Sequence, residues 1–343
     1  MRILKVNWYP PEDPDLRPLF GGKVEFDIEP VPVDPHYRLA RERCAAADAL
    51  INCSATHVVP ADLADFERVK IVVREGVGYD NLDLAGWGAR GIPVCNVPDY
   101  GTTEVADHAI ALMLSLTRGT AAYGERLRRD PVANWRFAAA PLVRRHKGAT
   151  FGIVGLGRIG LAAARRAAAF DMRVVFFDPY LPNGAELSVG YERVHSLHAL
   201  MATSDIVSVH TPLNQETRGF IDAAALAAAK PGLVLVNTAR GPIVDLEALQ
   251  AALRDGQIAG AGLDVLPAEP ADTDHPLIKA WMNGEDWVAD RLVLTPHAAF
   301  YSPASLKDMQ RKAVEVVLAY VEDGRLTNCV NRDDLKPLLH RAC

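Results

Sequence analysis

Residues 150–160 read TFGIVGLGRIG, an apolar run followed by glycines at positions 155, 157 and 160. The apolar run is typical of a buried strand, and the glycines allow the tight turn and close backbone approach that a bound pyrophosphate needs. A helix that begins at Arg158 would direct its partial positive charge at the same phosphates. The segment therefore predicts a strand, a phosphate-binding turn and a helix.

An acidic residue stands where such a turn requires one. The next strand candidate, Arg173–Phe177, leads into Asp178, about 20 residues beyond Gly155, where dinucleotide-binding domains carry the acid that binds the adenosine ribose. A carboxylate there repels a 2′-phosphate, and neither Pro179 nor Tyr180 supplies a positive charge. We therefore predict NAD rather than NADP as the cofactor. The predicted cofactor-binding residues of this segment are Gly155, Gly157, Arg158, Ile159, Gly160 and Asp178.

Short β-branched runs alternate with helical patterns on both sides of this segment, which predicts βαβ units and parallel sheets. After residue 149 the strand candidates are Phe151–Val154, Arg173–Phe177, Ile206–His210, Leu233–Asn237, Gly260–Asp264 and Leu292–Thr295. Before residue 100 they are Ile3–Asn7, Val24–Ile28, Ala49–Cys53, Ile71–Arg74 and Val94–Asn96. The predicted fold class is α/β, with two doubly wound parallel-sheet domains.

Two long helices mark the predicted domain boundaries. One begins at Thr102, and the last covers Pro303–Glu322 and precedes a short extended piece, Asn328–Val330. We expect a Rossmann NAD-binding domain over residues 102–302, and a flavodoxin-like substrate domain made of residues 1–101 and 303–343. The basic segment Tyr123–Lys147 is predicted to be an irregular, solvated connector.

The composition argues against several classes of protein. The chain has 343 residues, a hydrophobic share of 49% and a formal net charge of −6, a globular balance without a general attraction for nucleic acid or anionic membranes. No apolar stretch approaches the ~20 residues that span a bilayer, and the amino terminus shows no secretory signal. The cysteines are scattered without metal-ligand spacing, which predicts reduced thiols, no metal and a cytoplasmic protein.

Three polar side chains follow predicted strands of the second domain, on the edge where open α/β sheets bind ligands. They are Arg240, Glu269 and His297. Taken singly, each is typical of a solvated or hydrogen-bonded structural residue. Together they form an acid–base set, because Arg can hold a carboxylate bidentately and His can exchange a proton at neutral pH. A neighbouring carboxylate would stabilise the imidazolium and favour proton donation.

The chain resembles the D-isomer-specific 2-hydroxyacid dehydrogenases, and within them the branch of the C-terminal-binding protein (CtBP) co-repressors and their bacterial relatives. The similar stretches, in the family's order, are Arg74–Asp83 (REGVGYDNLD), Gly91–Pro98 (GIPVCNVP), Thr150–Gly160, Val236–Asp245 (VNTARGPIVD), Thr295–Ser302 (TPHAAFYS) and Asn328–Asn331 (NCVN). The resemblance implies an oxidoreductase that uses NAD to interconvert a 2-keto acid and a D-2-hydroxy acid in a cleft between two domains. It also implies a homodimer built on the helix from Thr102 and the connector after it.

Residue roles follow from the same resemblance. Arg240 would anchor the substrate carboxylate, His297 would be the general acid/base, and Glu269 would pair with His297. The other implied substrate contacts are the backbone amides of Val77 and Gly78 and the side chain of Phe300. The other residues implied to face the cofactor are Thr103, His210, Thr211, Pro212, Thr238, Ala239, Asp264 and Ala299.

The chain departs from the family pattern at two places. The span from Glu269 to His297 is longer than usual and carries Trp281 and Trp287, so this insert over residues 270–292 either caps the pocket or only decorates the domain. Phe300 stands where the animal co-repressors have tryptophan, which leaves the side chain of the keto acid open. Two alternatives also stay open: an NAD-sensing scaffold that recruits peptide partners, and the same machinery acting on a sugar acid or a phosphonate.

Overall fold

A computed structural model gives the fold and describes residues 1–7, 22–30, 37–53 and 60–335. The chain divides into two compact units: unit 1 is Met1–Gly101 with Ser302–Cys343, and unit 2 is Thr102–Tyr301. Each unit is built on a parallel sheet, so the predicted fold class is confirmed. Residues 336–343, which the sequence analysis assigns to the first domain, lie outside the described residues.

Unit 1 contains a five-stranded parallel sheet in its described part. The strands are β1 (Arg2–Asn7), β2 (Glu25–Pro30), β3 (Ala49–Cys53), β4 (Val72–Glu75) and β5 (Val94–Asn96). The helices before residue 100 are α1 (Arg41–Ala46) and α2 (Leu84–Ala89), with a 3-10 turn at Pro60–Asp65. The strand order β2-β1-β3-β4-β5 is the flavodoxin-like order, as predicted.

Unit 2 contains a seven-stranded parallel sheet. Its helices are α3 (Thr102–Thr117), α4 (Thr120–Arg129), α5 (Arg158–Ala168), α6 (Ala185–Val189), α7 (Leu197–Thr203), α8 (Ala223–Ala227), α9 (Leu246–Arg254) and α10 (Pro276–Met282). Its strands are β6 (Thr150–Val154), β7 (Arg173–Phe177), β8 (Glu192–Arg193), β9 (Ile206–Val209), β10 (Val234–Asn237), β11 (Gly260–Leu263) and β12 (Leu292–Leu294). The strand order β12-β11-β10-β9-β6-β7-β8 reverses its direction between β6 and β9, which is where doubly wound sheets open a ligand crevice.

Apolar side chains cover both faces of this second sheet. Ile153 of β6 packs with Met113 of α3 in one cluster, whereas the next residue, Val154, packs with Leu200 and Leu249 in the other. Strands covered on both faces read as nearly continuous apolar runs, because neither face meets water. This burial explains why the strand pattern of the second half is the stronger one in the sequence.

The last long helix, α11 (Pro303–Asp323), belongs to unit 1. Its residues Val314 and Val317 share an apolar cluster with Ile71 and Val73 at the sheet. After the helix the chain forms an antiparallel bridge to β5, so the predicted extended piece Asn328–Val330 is present. A 3-10 turn at Arg332–Leu335 ends the described part of the unit.

Three features differ from the sequence analysis. The segment predicted to be an irregular connector begins with a helix, α4, which buries no residue. On its exposed face, Glu125 forms ion pairs with Arg128 and Arg129. Without a buried face the helix leaves no apolar period to detect. The sheet of unit 2 gains a seventh strand, the two-residue β8. Ser302 falls in unit 1, because it caps α11 in a reciprocal pair with Ser305.

The long span after Glu269 packs on unit 2 itself. His275 caps α10 by accepting from Leu277 N through Nδ1, and its Nε2 lies 3.2 Å from Oε1 of Glu247 in α9. The indole N–H of Trp281 donates to a carbonyl of β12 at 3.2 Å. The ring of Trp287 lies under an arginine of α9, 4.7 Å from the guanidinium carbon. The span is therefore an integral part of unit 2.

Candidate active site

The predicted site residues of unit 2 lie along one edge of its sheet. All strands of the sheet are parallel, so their carboxyl ends share that edge. Arg240 follows β10, Asp264 follows β11 directly, and His297 follows β12. On the other side of the switch point, Asp178 follows β7 directly.

Arg240 stands on a loop that a buried amide holds in place. Asn237 is fully buried, and its side-chain nitrogen donates to the carbonyl of Arg240 at 2.9 Å while its oxygen accepts from Ala239 N at 3.0 Å. A Cβ added to Gly241 would lie 1.9 Å from the carbonyl carbon of Leu266, so only glycine lets these two loops approach. The loop of Arg240 is thereby fixed against the loop that leads to Glu269. The sequence by itself predicts no role for Asn237.

Glu269 and His297 form the pair that the sequence analysis predicted. Glu269 Oε2 lies 2.7 Å from His297 Nδ1, and the other carboxylate oxygen accepts from Leu266 N at 3.0 Å. Burial raises the pKa of Glu269, but the hydrogen bond and charge of His297, the Leu266 amide and the charge of Arg240 outweigh it and keep that pKa below its usual value. The carboxylate is therefore an acceptor, so Nδ1 carries the shared proton and Nε2 is left for exchange.

The turn that carries His297 is held by Asp264. His297 has a φ of 52°, in the left-handed region, and its backbone N–H donates to the carbonyl of Asp264 at 2.8 Å. The buried Asp264 carboxylate accepts from Ala298 N at 2.9 Å and from Ala299 N at 3.0 Å. These bonds stabilise a backbone conformation that residues other than glycine rarely adopt.

Two further side chains extend this network to α3. Thr295 donates from Oγ1 to Asp264 Oδ1 at 2.6 Å, and His108 Nε2 lies 2.9 Å from the same hydroxyl oxygen. Because a carboxylate only accepts, the hydroxyl proton belongs to the bond with Asp264, and His108 must be the donor to Thr295. Neither residue could be assigned this role from the sequence, since the apolar period of α3 says nothing about the polar partner of a single histidine.

The turn between β6 and α5 has the shape that a pyrophosphate requires. A Cβ added to Gly160 would lie 2.1 Å from the carbonyl oxygen of Gly155, so the first turn of α5 can approach only because residue 160 is glycine. Beside Gly157 the space is open. Asp178 joins this turn to the end of β7, because its Oδ2 accepts from Leu156 N at 3.0 Å. The residues present thus fit a bound dinucleotide.

Polar groups without a protein partner mark the same edge. Within the described residues, the buried hydroxyl oxygens of Thr211 and Thr238 have no hydrogen-bond partner, and these residues follow β9 and β10. Removal from water lowers the pKa of His210 to about 4, so its ring is neutral at pH 7, with Nε2 at 2.8 Å from Ser208 Oγ. A bound dinucleotide, with its hydroxyls and amide, would supply partners for these hydroxyls.

The remaining predicted residues have the following surroundings. Thr103, in the first turn of α3, donates to Glu104 at 2.7 Å. The ring of Phe300 meets His297 edge-on, with centroids 6.2 Å apart. In unit 1, Asn96 Nδ2 donates to the carbonyl of Val77 at 2.7 Å and so fixes the loop of Val77 and Gly78.

Comparison with known proteins gives the family. The family model for the NAD-binding domain of D-isomer-specific 2-hydroxyacid dehydrogenases matches residues 110–299. The chain is 36% identical over 318 residues to a glyoxylate reductase from Korarchaeum cryptofilum, covering 91% of each protein. The chain belongs to the D-isomer-specific 2-hydroxyacid dehydrogenase family. The resemblance to the D-isomer-specific 2-hydroxyacid dehydrogenases is therefore confirmed.

Other members extend the comparison. A D-3-phosphoglycerate dehydrogenase from Mycobacterium leprae is 41% identical over 307 residues, which span 87% of this chain but only 54% of that relative. The crystal structure of an NADPH-dependent glyoxylate/hydroxypyruvate reductase from Sinorhizobium meliloti, solved with NADP and malonate, has a TM-score of 0.81 and 30% identity, with 97% of each chain covered.

Membership of this dehydrogenase family gives the reaction class. The chain is an oxidoreductase with an NAD-binding domain, and its reaction transfers hydride between the nicotinamide cofactor and a 2-hydroxy or 2-keto acid. In the described part of the chain, no helix combines the length and the apolar character needed to cross a membrane.

Proposed function

We propose that Arg240, Glu269 and His297 carry the dehydrogenase reaction of this chain, acting on a small 2-keto acid. The observation that carries the proposal is the 2.7 Å contact between Glu269 Oε2 and His297 Nδ1, next to the positive charge of Arg240. Bound NADH supplies the hydride that reduces the carbonyl carbon. The protein side chains have two tasks: they hold the keto acid and they move one proton.

Arg240 holds the substrate. Its planar guanidinium can bind a carboxylate through two parallel N–H groups, which a lysine cannot do. The backbone around it is rigid, because Asn237 and the close approach at Gly241 fix the loop. Val77, Gly78 and Phe300 are the further proposed substrate contacts.

His297 moves the proton. In the direction of reduction, Nε2 donates to the carbonyl oxygen while Glu269 stabilises the ring through Nδ1. In the direction of oxidation, Nε2 takes the hydroxyl proton back. The ionised state of Glu269 matters here, because a neutral acid would hold the ring in place without balancing the charge of an imidazolium.

NAD is the proposed cofactor in preference to NADP. The carboxylate of Asp178 follows β7 and would face a 2′-phosphate with a like charge. Arg193 is close to this loop, but it donates to the carbonyl of Leu181 at 2.7 Å and packs over the ring of Phe176. The guanidinium of Arg193 is therefore engaged in holding this loop.

The test is a turnover assay with NADH and with NADPH on glyoxylate, hydroxypyruvate and 4-methylthio-2-oxobutyrate, carried out on the wild type and on Arg240→Ala. We expect NADH to be consumed with at least one keto acid. We expect Arg240→Ala to lower kcat/KM about a hundredfold or more, while the Kd for NADH stays within about threefold, because the guanidinium binds the substrate.

The control is Arg173→Ala, which removes an exposed arginine paired with Glu192 at the far end of β7. It should leave both constants unchanged. Equal losses of turnover and of NADH affinity in Arg240→Ala would contradict the role given to Arg240. Higher kcat/KM with NADPH than with NADH would contradict the role given to Asp178.

A homodimer is the proposed assembly, as the family resemblance implies. In support, the segment after α4 carries large apolar side chains on the surface: Val132, Trp135 and Phe137 are 87%, 79% and 94% exposed. Apolar groups gathered in this way are typical of protein interfaces. A second copy of the chain is the proposed occupant of this surface.

The finer family placement is also proposed. Stretches such as Thr295–Ser302 resemble the CtBP branch and support placement of the chain in that branch. The proposed location of the protein is the cytoplasm. Cys95 and Cys329 are not joined by a disulfide, which fits a reducing compartment. Nothing specific to the described residues favours the peptide-recruiting scaffold over the enzyme.

A further inference from the structure

Two cysteines that are far apart in the sequence are neighbours in unit 1. Cys95 is the middle residue of β5, and Cys329 lies in the extended piece after α11. They form an antiparallel bridge pair. The five cysteines are scattered along the sequence, and nothing local in it shows that the chain returns to this strand.

The hydrogen bonds around the bridge define its type. Asn96 N donates to the carbonyl of Asn328 at 3.1 Å, and Val330 N donates to the carbonyl of Val94 at 2.8 Å. The two cysteines between them are therefore a non-hydrogen-bonded pair, in which the Cα atoms are about 4.5 Å apart and the side chains are closest. A disulfide needs Cα atoms about 4.4–6.8 Å apart, so this pair can be joined without movement of the backbone.

The two thiols differ in exposure and in acidity. Cys95 is fully buried, whereas Cys329 is partly exposed. The hydrogen bond from Cys95 lowers the pKa of Cys329 to about 6, against the effect of burial, with help from Arg332. The same hydrogen bond, together with burial, raises the pKa of Cys95. Cys329 is thus the accessible nucleophile and Cys95 the resolving thiol.

We propose that Cys95 and Cys329 are a thiol–disulfide modification site whose substrate is a small disulfide such as oxidised glutathione. The thiolate of Cys329 attacks one sulfur of glutathione disulfide, which forms a mixed disulfide and releases one glutathione thiolate. Cys95 then attacks the sulfur of Cys329, passes its proton to the leaving sulfur and releases the second glutathione. Two protein thiols are oxidised to one disulfide, and one glutathione disulfide is reduced to two glutathione molecules.

The disulfide would close a loop of about 230 residues that contains all of unit 2, and would tie the segment after α11 to β5. The test incubates the full chain in glutathione buffers from fully reduced to fully oxidised. Free thiols are then trapped with iodoacetamide under denaturing conditions, and the digest is mapped by mass spectrometry. We expect a peptide pair joined through Cys95 and Cys329, and faster migration on a non-reducing gel that dithiothreitol reverses.

Matched variants separate this pair from the other thiols. Cys329→Ser and Cys95→Ser should each abolish the linked peptides and the gel shift. Cys44→Ser, which removes a buried thiol elsewhere in unit 1, and Cys343→Ser should leave both unchanged. The proposal is overturned if both thiols are alkylated in every buffer, if Cys329 stops at the mixed disulfide with glutathione, or if it pairs with another cysteine.

Discussion

The protons of the candidate active site are assigned by the partners of each group. Glu269 is ionised, so the proton it shares with His297 belongs to the ring. Asp264 only accepts, so Thr295 donates to it and His108 donates to Thr295. One line of hydrogen bonds therefore runs from α3 to the turn that holds the proposed acid/base.

This line predicts a role for His108 in positioning His297. His108→Leu removes the donor to Thr295, so the hydroxyl and the Asp264 carboxylate lose a fixed orientation. We expect kcat for the keto acid to fall about three- to tenfold, the effect of about one hydrogen bond, with little change in KM. The change in kcat is measured by steady-state kinetics with whichever of glyoxylate, hydroxypyruvate and 4-methylthio-2-oxobutyrate is turned over fastest.

His108→Gln is the comparison, because its amide can still donate to Thr295. It should restore at least half of the wild-type kcat, while the melting temperatures of the two variants agree within a few degrees. If leucine and glutamine variants lose the same activity, His108 does not act through this hydrogen bond.

At the scale of elements, the approach of α5 to the phosphate-binding turn depends on one glycine. Gly160→Ala would place a methyl group 2.1 Å from the carbonyl oxygen of Gly155, so α5 must move away from β6. We expect the Kd for NADH to rise about tenfold or more, because the backbone N–H groups of the turn lose their alignment. Fluorescence titration with NADH measures it.

Gly124→Ala is the matched control for this variant. Residue 124 lies within α4, with open space around its Cβ position. Alanine there should leave NADH binding unchanged and slightly stabilise the helix. Unchanged NADH affinity in Gly160→Ala would show that the approach of α5 to the turn is not needed for binding.

Asp205, the residue directly before β9, joins β6 to the loop after α8. Its Oδ2 accepts from Thr150 N of β6 at 2.8 Å, and its Oδ1 accepts from Lys230 Nζ at 2.6 Å. Burial raises the pKa of Asp205, but the bonds from Lys230 and Thr150 and the charges of Lys230 and Arg144 outweigh it, so the pKa is lower than in the unfolded chain. The stabilisation is therefore complete above pH 3.8, the unfolded value, and is lost as the pH falls through the folded value.

We expect Asp205→Asn to lower the free energy of unfolding by about 1–3 kcal/mol at pH 7, since a hydrogen-bonded charge is lost. The difference from the wild type should shrink at pH 3, where the carboxylate of the wild type is increasingly protonated. Urea unfolding at both pH values measures it. Asp171→Asn, at an exposed site, should lower the free energy of unfolding by less than about 0.5 kcal/mol. If the difference between Asp205→Asn and the wild type does not change with pH, the charge of Asp205 is not the source of the stabilisation.

The sequence could predict those elements whose apolar pattern reflects burial. The strands of unit 2 other than β8, and helices α3, α5 and α11, have such patterns, whereas α4 has none because it buries nothing. Arg240, Glu269 and His297 could be grouped because parallel strands end at one edge. The roles of Asn237, Thr295 and His108 could not be predicted, because they depend on polar contacts that form only when distant segments pack.

At the scale of the whole molecule, the exposed aromatics after α4 predict how the chain assembles. Trp135→Ser combined with Phe137→Ser should convert a homodimer to a monomer at micromolar concentration, because the apolar contact area is lost. Sedimentation velocity measures the change. Leu187→Ser, which alters a residue of α6 that is 84% exposed, should leave the dimer intact. A wild-type chain that sediments as a monomer would contradict the proposed assembly.

The order of the units along the chain has a consequence for synthesis on the ribosome. The helix α11, which covers one face of the first sheet, is translated only after all of Thr102–Tyr301. During that interval the nascent first segment exposes Ile71 and Val73 without their partners, while the inserted unit already has every strand it needs. The dinucleotide-binding unit can therefore fold first. The apolar surface of the first segment stays exposed until α11 has been synthesised, and chaperones would have to bind it until then.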